Sequence, residues 1–134
     1  MIEKISLITD NNTVSKCGNS TTHCLDITIS QFNKSCTTPS ISKLKHGTDQ
    51  TFSGTQIGEC HNFSINVNFP LDLKFQHLTA DAWKGKLAIV HTRSNSFECD
   101  PITEWLDSEG KHEEYNKSSL NITCRAKGNY LKLL

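Results

Sequence analysis

Six cysteines constrain this chain more than any other feature: Cys17, Cys24, Cys36, Cys60, Cys99 and Cys124. The number is even, and no two stand in a Cys-x-x-Cys pair. That short spacing brings two thiolates together in zinc ribbons and thioredoxin-like redox sites, so both are disfavoured. Three disulfides formed in an oxidising compartment fit better. Six cysteines allow 15 pairings, and the sequence does not choose among them. Cross-links matter here because the chain has only 134 residues, 35% of them hydrophobic, less than the usual share. A single domain spanning residues 1–134 buries a modest core at that size. Each bridge adds about 2–4 kcal/mol, largely by restricting the unfolded chain.

The glycosylation acceptor pattern N-x-[ST] occurs six times, at Asn11, Asn19, Asn33, Asn62, Asn116 and Asn121. With 11 Asn and 28 Ser or Thr in the chain, chance gives roughly two. The excess predicts a glycoprotein and points, independently of the cysteines, to secretion or to the outer surface of a cell or virion. Met1 to Asp10 include Glu3, Lys4 and Asp10 and contain no apolar signal core, so a mature ectodomain with an added start Met is expected. No apolar stretch approaches the roughly 18–20 residues that span a bilayer, and no membrane insertion is expected. Formal net charge is zero and the charges are mixed. Without a basic run interleaved with aromatics, a nucleic-acid partner is not expected.

Alternation of apolar and polar residues, the mark of a half-buried strand, recurs along the chain. In residues 25–31, Leu25, Ile27 and Ile29 are expected to face inward. In residues 63–69, Phe63, Ile65, Val67 and Phe69 alternate with Ser64, Asn66 and Asn68, and Pro70, lacking an N–H, interrupts the ladder. A shorter alternation follows in Leu71, Leu73 and Phe75. Residues 86–92 form a more buried strand, and residues 119–123 place Leu120 and Ile122 inward and Asn121 outward, where a glycan needs to be. Asp100-Pro101 is an N-cap followed by proline at the first helical position, with Ile102, Trp105 and Leu106 at helical spacing and Gly110 ending the turn. A second helical turn is expected over 79–84, closed by Gly85. Residues 44–58, rich in Gly, Ser and Thr, suit a loop or weak edge strand. The sum predicts a mostly β fold: a disulfide-stapled β-sandwich with one or two short helical turns. The immunoglobulin signature is not clean, because no Trp stands midway in a strand and Trp83 falls in the expected turn.

Catalysis needs groups that converge, and no local spacing here forces convergence. There is no HExxH, GxSxG, P-loop or GxGxxG. His112-Glu113-Glu114 lacks a second His one helical turn on. The six histidines, His23, His46, His61, His77, His91 and His112, are widely spread. Glu98/Asp100 and Asp107/Glu109 are neighbours near turns, not carboxylates across a cleft. Cys60 is the only cysteine followed directly by a histidine, His61, and adjacent strand residues point to opposite faces. No enzyme activity, cofactor or metal is expected.

Binding remains. Trp83, Phe97, Trp105, Tyr115 and Tyr130 lie outside the clearest strands, and loop aromatics anchor interfaces; Trp83, Phe97, Trp105 and Tyr115 are the candidates for partner contact. A partner surface must be free of glycans, and no acceptor falls between Leu71 and Glu114. The expected partner is a host extracellular or cell-surface protein, with the chain a monomer or part of a larger glycoprotein.

Two resemblances bear on the partner. Cys17-Gly18-Asn19, Cys24, Cys36-Thr37, Pro39 and Cys60 resemble the membrane-distal part of leukocyte common antigen ectodomains, over about a third of the chain. Asp26-Ile27-Thr28-Ile29 leading to Ser35-Cys36-Thr37, then Gly58-Glu59-Cys60, Lys86-Leu87-Ala88-Ile89 and Asn121-Ile122-Thr123-Cys124, resemble in order the poxvirus immune-evasin β-sandwich family. The second resemblance implies a secreted viral protein that binds a chemokine, cytokine or other host immune protein. A receptor-binding domain of a viral envelope glycoprotein and a host receptor module are the alternatives.

Overall fold

The computed structural model describes residues 1–10, 24–42, 44, 47, 49–78, 83–106 and 118–127. They form nine strands: β1 (Ile2–Thr9), β2 (Leu25–Gln31), β3 (Lys34–Thr37), β4 (Asp49–Ser53), β5 (Leu71–His77), β6 (Trp83–Thr92), β7 (Ser96–Cys99), β8 (Trp105–Leu106) and β9 (Ser119–Ala126). Eight of them make one antiparallel sheet in the order β3-β2-β5-β9-β7-β6-β1-β4, and β8 pairs with the start of β6. The mostly β, disulfide-stapled fold read from the sequence is what forms.

The sheet curls so that its two halves face each other. Phe75 on β5 and Trp83 on β6 lie three strand positions apart, yet their ring centroids are 6.1 Å from each other. Closure on the far side comes from a 3₁₀ helix, Gly58–Asn62. Its Cys60 is disulfide-bonded to Cys36 on β3, and its His61 Nδ1–H donates to the Ile2 carbonyl of β1 at 3.1 Å. One short helix thus ties the first strand of one half to the second-last of the other. The space between the halves is filled by side chains with no exposed surface, among them Ile5 and Leu7 of β1, Ile27 and Ile29 of β2, Leu73 of β5 and Val90 of β6.

Alternation places β2 and β5 as expected: Leu25, Ile27 and Ile29, and Leu71, Leu73 and Phe75, are fully buried. Elsewhere bulges shift the phase. The register slips between Ile2 and Lys4 in β1, and Ile8 and Thr9 pair with Leu87 and Gly85, leaving Lys86 as an extra residue on β6. A bulge adds one residue to one strand and reverses the inward phase beyond it. Trp83 and Gly85 therefore point inward on one side of Lys86, and Ala88 and Val90 on the other.

Three expectations are corrected. Residues 63–69 form no strand. Phe63, Ile65 and Val67 do lean on the core, but their backbone meets the side chain of Gln31 instead of a neighbouring strand. Gln31 Nε2 donates to the carbonyls of Asn66 (2.7 Å) and Phe69 (3.1 Å), and its Oε1 accepts from the Asn66 N–H at 2.7 Å. Residues 101–106 form no helix. The Ile102 N–H donates to the Lys86 carbonyl at 3.0 Å, which draws the segment alongside β6, and Trp105–Leu106 become β8. Residues 83–85 are strand, not helical turn, and residues 79–82 lie outside the described residues. The helical turns among the described residues are two 3₁₀ helices, Gly54–Gln56 and Gly58–Asn62. The 44–58 segment supplies β4, an edge strand beside β1.

Candidate functional site

The curled sheet turns two faces outward, and they differ in chemistry. Over β3-β2-β5-β9 the outward residues are polar. Thr28 pairs with Lys74, Lys74 with Asn121, and Asp72 with both Ser30 and Thr123. Hydroxyls are engaged across this face: Thr28 with Thr37 at 2.9 Å, Ser40 to Asp26 Oδ1 at 2.7 Å, and Thr123 to Asp72 Oδ1 at 3.4 Å. The acceptor Asn121 stands exposed in it. Asn33, at the β2–β3 turn, and Asn62, at the end of the second 3₁₀ helix, are exposed as well. Asn11, Asn19 and Asn116 lie outside the described residues.

The outward face of β4-β1-β6 carries no described acceptor. Register puts Ile8 opposite Leu87, and Ser6 opposite Ile89 and Thr51. Ile8, Leu87 and Ile89 are half-buried and form an apolar stripe. Beside it, Ser6 Oγ lies 3.0 Å from His91 Nε2 and 3.3 Å from Thr51 Oγ1. Burial lowers the His91 pKa below the ordinary imidazole value, and the Lys4 charge lowers it further, with Asp49 and Glu3 opposing. A Ser–His contact is the core of many nucleophilic sites, but such a site also needs N–H donors aimed at a developing oxyanion. Ser6 is paired on both sides within the sheet, so its own backbone is committed to the ladder. Here the contact fastens β6 to β1.

The gap in acceptors from Leu71 to Glu114 does not translate into one bare face. β5, inside the gap, runs beside β9 and places Lys74 against Asn121. The surface without a described acceptor comes instead from β6 together with β1 and β4, which sequence spacing did not associate.

Two of the four aromatic candidates are corrected by burial. Trp83 and Phe97 have no exposed surface. Trp83 lies across Gly85, where an added Cβ would sit 2.4 Å from the indole, and its Nε1–H donates to Thr9 Oγ1 at 3.3 Å. Both residues hold the core and are not available to a partner. Trp105 belongs to β8, paired with Lys84; its side chain, Tyr115 and Tyr130 lie outside the described residues. Among the described residues the Phe and Trp rings that are exposed are Phe32 and Phe69, of which the sequence reading placed Phe69 in an alternating strand and did not single out Phe32.

Cys36–Cys60 and Cys99–Cys124 are the described disulfides. Cys24 is disulfide-bonded too, and Cys17 lies outside the described residues. Among the described residues no group of three or more His, Cys, Asp or Glu is placed to hold a metal ion, and no helix is long and apolar enough to cross a membrane. No protein-family model matches the chain, and no curated protein matches it either.

Proposed function

We propose that this chain is a non-catalytic domain of a secreted or surface glycoprotein that binds a host protein through the outer face of β4-β1-β6. The observation that carries the proposal is the contrast between the two outer faces. One is polar and bears Asn121; the other joins an apolar stripe of Ile8, Leu87 and Ile89 to Ser6, Thr51 and His91. A face that must meet a protein has to stay free of glycans and offer apolar area ringed by polar groups. The partner class is an immune ligand or receptor, and the role is viral or parasite immune evasion, on the resemblance of the β2, β6 and β9 segments to the poxvirus evasin family.

The test is a glycan wedge. Leu87→Asn with Ile89→Thr creates an acceptor on the outer face of β6 and leaves Ala88 in the core. Lys74→Asn with Gln76→Thr creates one on the outer face of β5. Both proteins and the parent are made in glycosylating cells, checked by melting temperature, and measured against a panel of purified chemokines, cytokines and receptor ectodomains. The wedge on β6 is expected to abolish the parent's binding by at least tenfold, and the wedge on β5 to leave it intact. The reverse pattern would move the partner to the other face. Binding to nothing in the panel would remove the immune-ligand reading.

A further inference from the structure

The tip of the β2–β3 hairpin holds an arrangement that the partner-binding reading does not use. Phe32 has a φ of 58°, a left-handed conformation that a bulky side chain adopts only where its surroundings impose it. That conformation turns the ring outward. Phe32 is 70% exposed and Phe69 48% exposed, and the two rings meet edge to face with centroids 5.1 Å apart. They are the only exposed aromatic rings among the described residues. The groove beside them is lined by Gln31, Phe32, Asn33, Ile65 and Val67, among others. Gln31 fixes its floor through the three hydrogen bonds to Asn66 and Phe69. The groove is therefore rigid, apolar along one wall, and carries its own glycan acceptor, Asn33.

We propose that the first N-acetylglucosamine of an N-glycan on Asn33 folds back into this groove and covers the Phe32–Phe69 pair. The inference rests on the glycoprotein reading above. Transfer from a lipid-linked oligosaccharide joins Asn33 Nδ2 to C1 of the sugar; the lipid diphosphate leaves and the amide gives up one proton. A β-linked pyranose then presents axial C–H groups on one face and an N-acetyl methyl at its side. The negative face of an aromatic ring attracts such C–H groups, while the sugar hydroxyls stay in water. The sugar is tethered one residue from Phe32, so its local concentration at the rings is far above that of any free ligand. Two rings are also too small a patch for a stable protein interface, which takes about 800 Å² on each partner.

The test uses the domain made in glycosylating cells and trimmed by an endoglycosidase to single N-acetylglucosamine residues. Mass spectrometry of the Asn33 peptide reads occupancy first. Melting temperatures are then compared for the parent, Ser35→Ala, Phe69→Ala and the double variant. Ser35 is exposed, and Ser35→Ala removes the acceptor while keeping Asn33. It is expected to lower the melting temperature by about 2–5 °C in the parent background and by less than about 1 °C in the Phe69→Ala background. Ser35→Thr, which preserves the acceptor, is expected to match the parent. In the parent, the N-acetyl methyl resonance of the Asn33 sugar is expected to move upfield by ring current. Equal losses in both backgrounds, or an unshifted methyl resonance, with Asn33 occupied, overturn the inference and leave the glycoprotein reading standing. An empty Asn33 beside occupied acceptors elsewhere overturns it at this site alone; no glycan anywhere overturns both.

Discussion

At the scale of single residues, His91 shows how a strand position acquires a pH dependence. Burial and the Lys4 charge hold its native pKa below the ordinary value, so the unfolded chain binds a proton at a higher pH than the folded chain does. Stability is then greater where the imidazole is neutral in both states. It falls as pH drops through the unfolded value near about 6.5, and levels off once the native imidazole is itself protonated. Urea midpoints measured from pH 8 to pH 5 are expected to decline across this window, and His91→Gln, which keeps a polar partner for Ser6, is expected to flatten that part of the decline. An unchanged slope in the variant would assign the pH dependence to other groups. Gln31 works without charge. Its amide offers one acceptor and two donors, and all three meet backbone groups of residues 66–69, so a side chain replaces the neighbouring strand that those residues lack.

At the scale of elements, legibility in the sequence followed the regularity of the backbone. β2 and β5 keep an unbroken period of two, so Leu25, Ile27 and Ile29 and then Leu71, Leu73 and Phe75 could be placed by pattern alone. β1 escaped because the register shift between Ile2 and Lys4 puts Ile2 and Ile5 on the same side with two residues between them. Residues 63–69 show the opposite failure: their alternation reports how deeply side chains reach, and says nothing of which groups receive the backbone hydrogen bonds. Phe69 stands in that alternation beside Phe63, Ile65 and Val67, which hid the exposed ring pair. The acceptors at Asn33, Asn62 and Asn121 were legible because the motif itself is local. That cysteines form bridges was legible and their pairing was not, since pairing depends on which strands adjoin. Cys99 and Cys124 sit opposite each other on β7 and β9 and close a loop spanning 25 residues of sequence. A loop of that size contributes about 3.5 kcal/mol through the unfolded state. Replacing both cysteines with Ala is expected to lower the melting temperature by roughly 10–15 °C, read by calorimetry under oxidising conditions; a loss under about 3 °C would show that the β7–β9 junction holds without its bridge.

At the scale of the whole molecule, the junction between the halves is the point on which the architecture depends. β9 sits between β5 and β7, and no other described strand connects β3-β2-β5 to β7-β6-β1-β4 within the sheet. Edges are handled locally. The Thr37 N–H on β3 donates to Glu59 Oε1 at 2.9 Å, and the Ser53 N–H on β4 donates to Gln56 Oε1 at 3.0 Å. Side chains of the 54–62 segment thereby occupy donors that an edge strand would otherwise offer to another chain. A chain ending before Ser118 is expected to keep neither half folded, giving no cooperative melting transition; a sharp transition in that truncated chain would mean that one half is stable alone.

The position of β9 also sets a timetable. A ribosome delivers β1 to β8 before β9, the strand that joins the two halves of the described sheet. Until residues 119–126 leave the exit tunnel, no described strand joins β5 to β7, and Cys99 has no partner. On the glycoprotein reading proposed above, enzymes that act on extended polypeptide would meet Asn33 and Asn62 throughout that interval, and would meet Asn121 only within the strand whose insertion joins the two halves.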